Sequence, residues 1–189
     1  MKSATLILLL GLSFSAPLFS QDQKTPSTSP ASTEPAVKID MLDAVPGFGG
    51  IKFGDDFATA GYEIEQDRGA LKIYKKAGEP AMLGPVMLDE VLFHVYDGKF
   101  YGVAFHTEDG QDTLNLRSVF QAAFGNGTPS ADNGPASVWV GKKVGALVDV
   151  NTATGEGSAF LFDVKLHDTF LSYESDAARA AAEKLLKGQ

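Results

Sequence analysis

The 189-residue chain contains no cysteine, and that absence removes several chemistries together. There is no thiol nucleophile, redox pair, cysteine zinc site or iron–sulfur cluster. Lipid anchoring through a cysteine is excluded as well. Small secreted domains often staple a thin core with disulfides, so this one must fold on packing alone. Long apolar runs are also missing. Ala4–Phe14 carries no charge, yet it is only about half the ~20 residues that a spanning helix needs. Lys2 precedes it, and Ser15, Ala16, Pro17, Leu18, Phe19 and Ser20 follow. A short positive start, a short apolar stretch and small residues behind it mark a secretory signal peptide over residues 1–20. Cleavage is predicted after Ser20, because a cut after Ala16 would leave Pro17 as the first mature residue. Export without disulfides suits a bacterial envelope, so a periplasmic or secreted location is expected.

Basic charge is scarce too: 16 Lys and Arg stand against 24 Asp and Glu, a net charge of −8. Losing Lys2 with the signal leaves 15 bases and a net charge of −9. Such a surface repels phosphate backbones and anionic headgroups. Nucleic acid and membrane surfaces are therefore poor partners, and a protein partner would be a basic one. The acids are scattered in pairs such as Asp55-Asp56, Asp89-Glu90 and Glu108-Asp109, the ordinary pattern of a solvated face.

What the chain does have begins with residues 21–37, rich in Ser, Thr and Pro, without an aromatic. Such a stretch buries too little apolar surface to offset its ordering entropy and reads as a disordered tether. Residues 38–189 are the right size for one domain. Within them, EVLFHVY and KFYGVAFH flank Asp97-Gly98, the strongest short-range signal of a hairpin with a type I′ turn. Pairing Tyr96 with Lys99 sets a register with Val95 opposite Phe100, His94 opposite Tyr101, Phe93 opposite Gly102 and Asp89 opposite His106. One face then carries Val91, Phe93, Val95, Phe100, Gly102 and Ala104 as a core. The Asp89–His106 pair would make His106 the pH-responsive histidine.

Leu116, Val119, Phe120, Ala123 and Phe124 recur with helical spacing. Asp109 or Asp112 is placed to cap that helix and Gly125 to stop it. Strands are predicted at Ser137–Val140, Val144–Val150 and Ala159–Val164. A terminal helix follows, with Ala178, Ala181, Ala182, Leu185 and Leu186 along one stripe. Tyr62–Tyr74 alternates about Asp67-Arg68-Gly69 as another hairpin, and Asp55 or Asp56 opens a short helix before it. Strands joined by tight turns predict an α+β fold: an antiparallel sheet of hairpins with helices packed on one face. The order suggests two similar strand–strand–helix halves.

The phrases GIKFGDDF, VLFHVYDGKFYGVAF, SVFQAAFGNGTP and SVWVGKKVGALVDV, within residues 47–175, carry a resemblance. This succession of a G-I-x-F-G start, an Asp-Gly hairpin, a helix ending in F-G-x-x-x-P and a tryptophan strand resembles a broad class of uncharacterised bacterial periplasmic and secreted α+β domains. The resemblance implies fold and compartment. It implies no activity.

Chemical motifs are weak. PGFGGIKFG, residues 46–54, places glycines at 47, 49, 50 and 54 and fits neither a dinucleotide nor a phosphate-loop pattern. It reads as a turn entering the first strand. His94, His106 and His167 are the only histidines, and none sits in an H-x-x-H or H-E-x-x-H pattern. Gly157-Ser158-Ala159 is not a nucleophile elbow. Asp149 and Asn151 open a stretch like a calcium loop, but Ala153, Thr154 and Phe160 occupy later ligand and glycine positions. No catalytic residue, metal or cofactor is expected.

Trp139, the lone tryptophan, is either a packed core ring, the commoner outcome, or an interface anchor. With His94 and Tyr101 it forms the candidate interaction surface. The composite expectation is a non-enzymatic binding or protein-interaction module of the bacterial envelope. Rivals are a small exported hydrolase with a site assembled in space, and an immunity or inhibitor protein capping a toxin or enzyme. If residues 1–20 are a signal peptide, mass spectrometry of native protein should find a mature terminus near Gln21. An intact Met1 would refute export with processing.

Overall fold

Several neighbouring strands in this chain are joined by tight turns, and one of these is Asp97-Gly98. The computed structural model describes residues 37–186, apart from 77, 79–80 and 131–135. The predicted signal peptide and residues 21–36 of the predicted tether lie outside the described residues. Asp97 has φ 49° and Gly98 φ 78°, the pair of positive values that a type I′ turn requires. The turn joins β7 (Glu90–Tyr96) to β8 (Lys99–Thr107). Upstream, β3 (Tyr62–Arg68) and β4 (Leu71–Lys76) form the second predicted hairpin, where the Gly69 N–H donates to Asp67 Oδ1 at 2.9 Å.

Three elements before and between these were not expected. A short helix α1 spans Ile39–Asp43, and β1 (Gly47–Phe48) pairs with β2 (Ile51–Lys52) through the glycine-rich stretch. Between β4 and β7 the chain inserts a small hairpin, β5 (Ala81–Leu83) with β6 (Val86–Leu88). The helix expected at Asp55 or Asp56 is absent. Asp56 instead bridges to Lys99, and its carboxylate meets the Lys99 ammonium at 2.8 Å.

After β8 the helix α2 covers Gly110–Phe124. Asp109 caps it by accepting the N–H groups of Gln111 and Asp112, and Gly125 ends it at φ 79°. Four strands follow: β9 (Thr128–Pro129), β10 (Ser137–Val140), β11 (Val144–Val150) and β12 (Gly157–Asp163). The helix α3, Val164–Leu186, closes the described chain.

The eight larger-sheet strands run in the order β3-β4-β7-β8-β12-β11-β10-β9, with each pair of neighbours antiparallel. Each half is thus a four-strand meander followed by a helix, and β8–β12 is the seam. The expected two halves are present in the topology, and so is the α+β antiparallel architecture. The symmetry stops at the helices. Leu116, Phe120 and Phe124 of α2 and Leu42 of α1 pack with Phe93, Val95, Phe100, Val103, Phe105 and Trp139 on one face. Phe170 of α3 packs with Leu71 and Tyr101, beside Leu166, Phe160 and Phe162. Alternation along β8 and β12 puts this second cluster on the opposite face, so the expectation of helices on one face fails for α3. Ala178, Ala181 and Ala182, the stripe predicted to dock this helix, are exposed. Its aromatic first turns do the docking.

The hairpin register also departs from expectation beyond Val95↔Phe100. His94 pairs with Gly102, Phe93 with Val103, Leu92 with Ala104 and Glu90 with His106. Tyr101 is the extra residue of a β-bulge, which lets two successive residues lean toward one face. Tyr101 and Gly102 both serve the α3 face as a result, and Val103 and Phe105 return to the main core. A Cβ on Gly102 would stand 2.6 Å from the Phe160 ring. Gly102 therefore exists to admit Phe160.

Among the described residues no helix is long and apolar enough to cross a membrane. Replacing Gly98 with Val should force a β-branched residue into the left-handed region at a cost of about 1–2 kcal/mol. Urea denaturation should show the lowered midpoint. An unchanged midpoint would mean that the turn does not hold the hairpin.

Candidate functional site

β4 and β7 pair only from Leu71↔Tyr96 to Lys75↔Leu92. Beyond that point the chain leaves β4 to build the β5–β6 hairpin and returns to begin β7. A cleft of about 630 Å³ opens there, in the size range of small-molecule and side-chain pockets. Phe48 and Gly49 of the β1–β2 hairpin, Tyr62 at the start of β3, Met87 and Leu88 of β6, and Val91 and Phe93 of β7 line it. Lys75, Lys76, Asp89 and Glu90 add charge to the lining.

The aromatic part is firmly set. Phe93 is 3% exposed, and its ring centroid lies 5.0 Å from Tyr62 and 6.1 Å from Phe48. Phe48 is held edge-on to Phe105 at 4.9 Å. Such tilted and edge-to-face contacts are favourable ring geometry. Met87 is 54% exposed, and Met82, its partner across the β5–β6 hairpin, is 65% exposed. Methionine is a flexible and polarisable apolar side chain that adapts to varied partners. A rigid aromatic floor beside a pliable wall is suited to taking an apolar side chain or ring.

Three of the four charged groups, Lys75, Asp89 and Glu90, already have structural partners. The Lys75 ammonium meets Glu90 Oε1 at 2.6 Å, and this hydrogen bond raises the Lys75 pKa. Asp89 Oδ2 accepts the Glu108 N–H at 2.6 Å. Burial raises the Tyr62 phenol. A carboxylate locked into an ion pair is a poor general base.

The residues singled out from sequence lie elsewhere. Trp139 is 1% exposed, its indole N–H donating to the Gly125 carbonyl at 2.9 Å. Gly127 lies close enough that a Cβ there would stand 2.8 Å from the indole. It is a core ring. Tyr101 is 2% exposed because the bulge turns it under α3, stacked on Phe170 and His167. His94 is half-buried, edge-on to Tyr101 and 4.9 Å from Phe160. The structure brings His94 and Tyr101 together and leaves Trp139 on the other face. None of the three lines the cleft. The cleft residues escaped notice because Phe48, Tyr62 and Phe93 look like ordinary core. The available signal was Leu83-Gly84-Pro85-Val86 between two methionines, turn chemistry for an inserted hairpin.

All three imidazoles resist protonation. Burial, and then the nearness of His106 and His167, lowers His94 to about 3. Burial lowers His106 against the opposing pull of Glu90, and lowers His167 against that of Asp168. The expected Asp89–His106 pair is corrected accordingly: Glu90 stands opposite His106, and burial wins. Asn151, the calcium-loop candidate, accepts the N–H groups of Ala153 and Thr154 as a turn residue.

A histidine pKa depressed by folding means that the unfolded chain binds more protons. Stability is then complete above the unfolded value of about 6.5 and falls as pH drops from there toward the folded value. Between pH 7 and pH 5 the unfolding free energy should fall, His94 alone contributing on the order of 1–2 kcal/mol and His106 and His167 adding in the same direction. His94→Gln should reduce that fall, as read by urea titrations at both pH values. A flat wild-type profile would show that these rings are freely protonated.

Comparison with known proteins adds nothing to this geometry: no family model, no curated protein sequence and no solved structure matches the chain.

Proposed function

We propose that this protein is a non-enzymatic binding module of the bacterial envelope, and that its ligand is an apolar element of a partner seated in the cleft between the β1–β2 and β5–β6 hairpins. The observation that carries this reading is the aromatic floor of Phe48, Tyr62 and Phe93 beside the exposed Met82–Met87 pair. Exposed methionines next to a concave apolar surface are a common mark of a docking site. None of the three histidines lines the cleft, and its acids Asp89 and Glu90 are engaged in structural bonds. Both facts favour binding over proton transfer. Export, from the Lys2 and Ala4–Phe14 pattern, is part of the proposal and supplies the compartment.

Met87→Glu tests it. The side chain is 54% exposed, and surface changes of this kind usually alter stability by only about 0.5 kcal/mol. A buried charge facing an apolar anchor should weaken capture by about tenfold or more. Affinity purification from an envelope extract should yield a stoichiometric partner with the wild type and little with the variant, at equal circular dichroism. Equal recovery by both proteins, or none by the wild type, would sink the reading.

A further inference from the structure

The two edges of the eight-stranded sheet are treated differently. At one end stands β9, two residues long and ending in Pro129. Short edges and proline both discourage further strand pairing. At the other end stands β3, seven residues long, with one side of its backbone unpaired in the sheet. Glu63, Ile64 and Glu65 are exposed along it, Ile64 at 55%. Its first residue, Tyr62, also lines the cleft. The open edge and the cleft are therefore one continuous surface.

Charge selects what the edge can accept. An added strand would hold its side chains about 4.5–5.5 Å from those of β3 and one strand spacing, ~5 Å, farther from β4. Lys72 is drawn to Asp67 at 3.4 Å and Lys75 to Glu90 at 2.6 Å, so two of the three lysines of β4 are already engaged, and the third, Lys76, stands opposite Tyr62 at the strand's end. The newcomer meets Glu63 and Glu65 first. A second copy pairing antiparallel about Glu65 would set like charges opposite each other, which is destabilising. The bulge at Glu65, where the register shifts between Ile64 and Gln66, further disfavours a flat self-pairing. The chain's own residues 21–37 carry a single base, Lys24, against Asp22 and Glu34, a poor complement.

We propose that the partner of this module enters as an extended, basic segment that adds a strand to the free edge of β3 and seats an apolar side chain in the adjoining cleft. The inference rests on the binding reading of the cleft and adds the chemistry and direction of the partner. Main-chain hydrogen bonds along β3 supply the attachment and the side chains the selectivity, as in other strand-addition complexes.

The test uses the mature chain and two synthetic seven-residue peptides. One alternates lysine with valine around a central phenylalanine, and the other replaces each lysine with glutamate. Amide exchange by NMR should show β3 amides gaining protection with the lysine peptide only. Glu63→Lys with Glu65→Lys, both exposed positions, should weaken that peptide about tenfold and favour the glutamate one. The inference is overturned if the β3 amides stay unprotected or if both peptides bind alike. It is also overturned if protection appears without peptide as protein concentration rises, which would give the edge to a second copy. Loss of partner capture in Met87→Glu together with unprotected β3 amides would remove only the strand addition and leave the cleft reading standing.

Discussion

The antiparallel pairing of β8 with β12 holds this fold together. Among the described residues, Phe162↔Gly102 through Gly157↔Thr107 is the only strand pairing between the two meanders of the large sheet, and β8 supplies side chains to both faces of it. Phe100, Val103 and Phe105 enter the main core, and Tyr101 and Ala104 enter the opposite face. The bulge at Tyr101 makes the division work. It delivers Tyr101 to α3 and leaves Gly102 opposite His94, where the ring of Phe160 occupies the space a side chain would need. Without the extra residue, Phe100 and Phe105 of β8, five positions apart, could not both share a face with Phe93 of β7.

Two different interiors follow from that seam. The main core is aliphatic and aromatic, closed by α1 and α2, and pinned at its far end by the Trp139 bond to the Gly125 carbonyl. Asp43 at the end of α1 accepts the N–H groups of Lys142, Lys143 and Val144, tying the first helix to the β10–β11 turn. Those bonds hold the Asp43 carboxyl below its ordinary pKa. The second interior is a layer of rings and imidazoles under the first turns of α3. His167 lies 4.4 Å from Phe162 and Phe170 5.9 Å from Tyr101. Neutral imidazole packs there as an aromatic, and protonation would place charge in a poorly solvated layer. The histidine-linked part of the fold's pH sensitivity thus lies on the face away from the aromatic floor of the cleft.

The sequence was most informative where one short segment decides a feature. Asp97-Gly98 declared its turn, and Asp109 with Gly125 declared both ends of α2, because caps and turns depend on a few neighbouring residues. Register was legible for two pairs and then lost, since a bulge shifts every later residue to the other face. Gly102 was the clue: an isolated glycine inside a strand often marks a bulge or a close approach. The side of α3 was misjudged because its alanines looked like a docking stripe, whereas the packing energy resides in Leu166 and Phe170, before the predicted stripe begins. Trp139 followed the plainer of its two readings.

The cleft was hidden for a different reason. Five segments between Phe48 and Phe93 build it, and each contributes residues that a core would also use. Its shape comes from topology: the chain interrupts a meander to insert β5–β6, so two neighbouring strands separate at one end while the core beneath them stays closed. The β3 edge beside Tyr62 is open for another reason: β3 is the terminal strand of the sheet among the described residues. Near the opening Lys75 pairs with Glu90 and Asp89 accepts a backbone N–H, while the imidazoles pack away from the aromatic floor. The proposed binding role agrees with that arrangement, because a proton-transfer group must reach its target within about 3 Å or through one water. The bulge at Tyr101 and the close approaches at Gly102 and Gly127 serve packing. The surface that departs from ordinary burial rules, Met82, Met87 and the acidic edge of β3, is the one the proposed partner would hold.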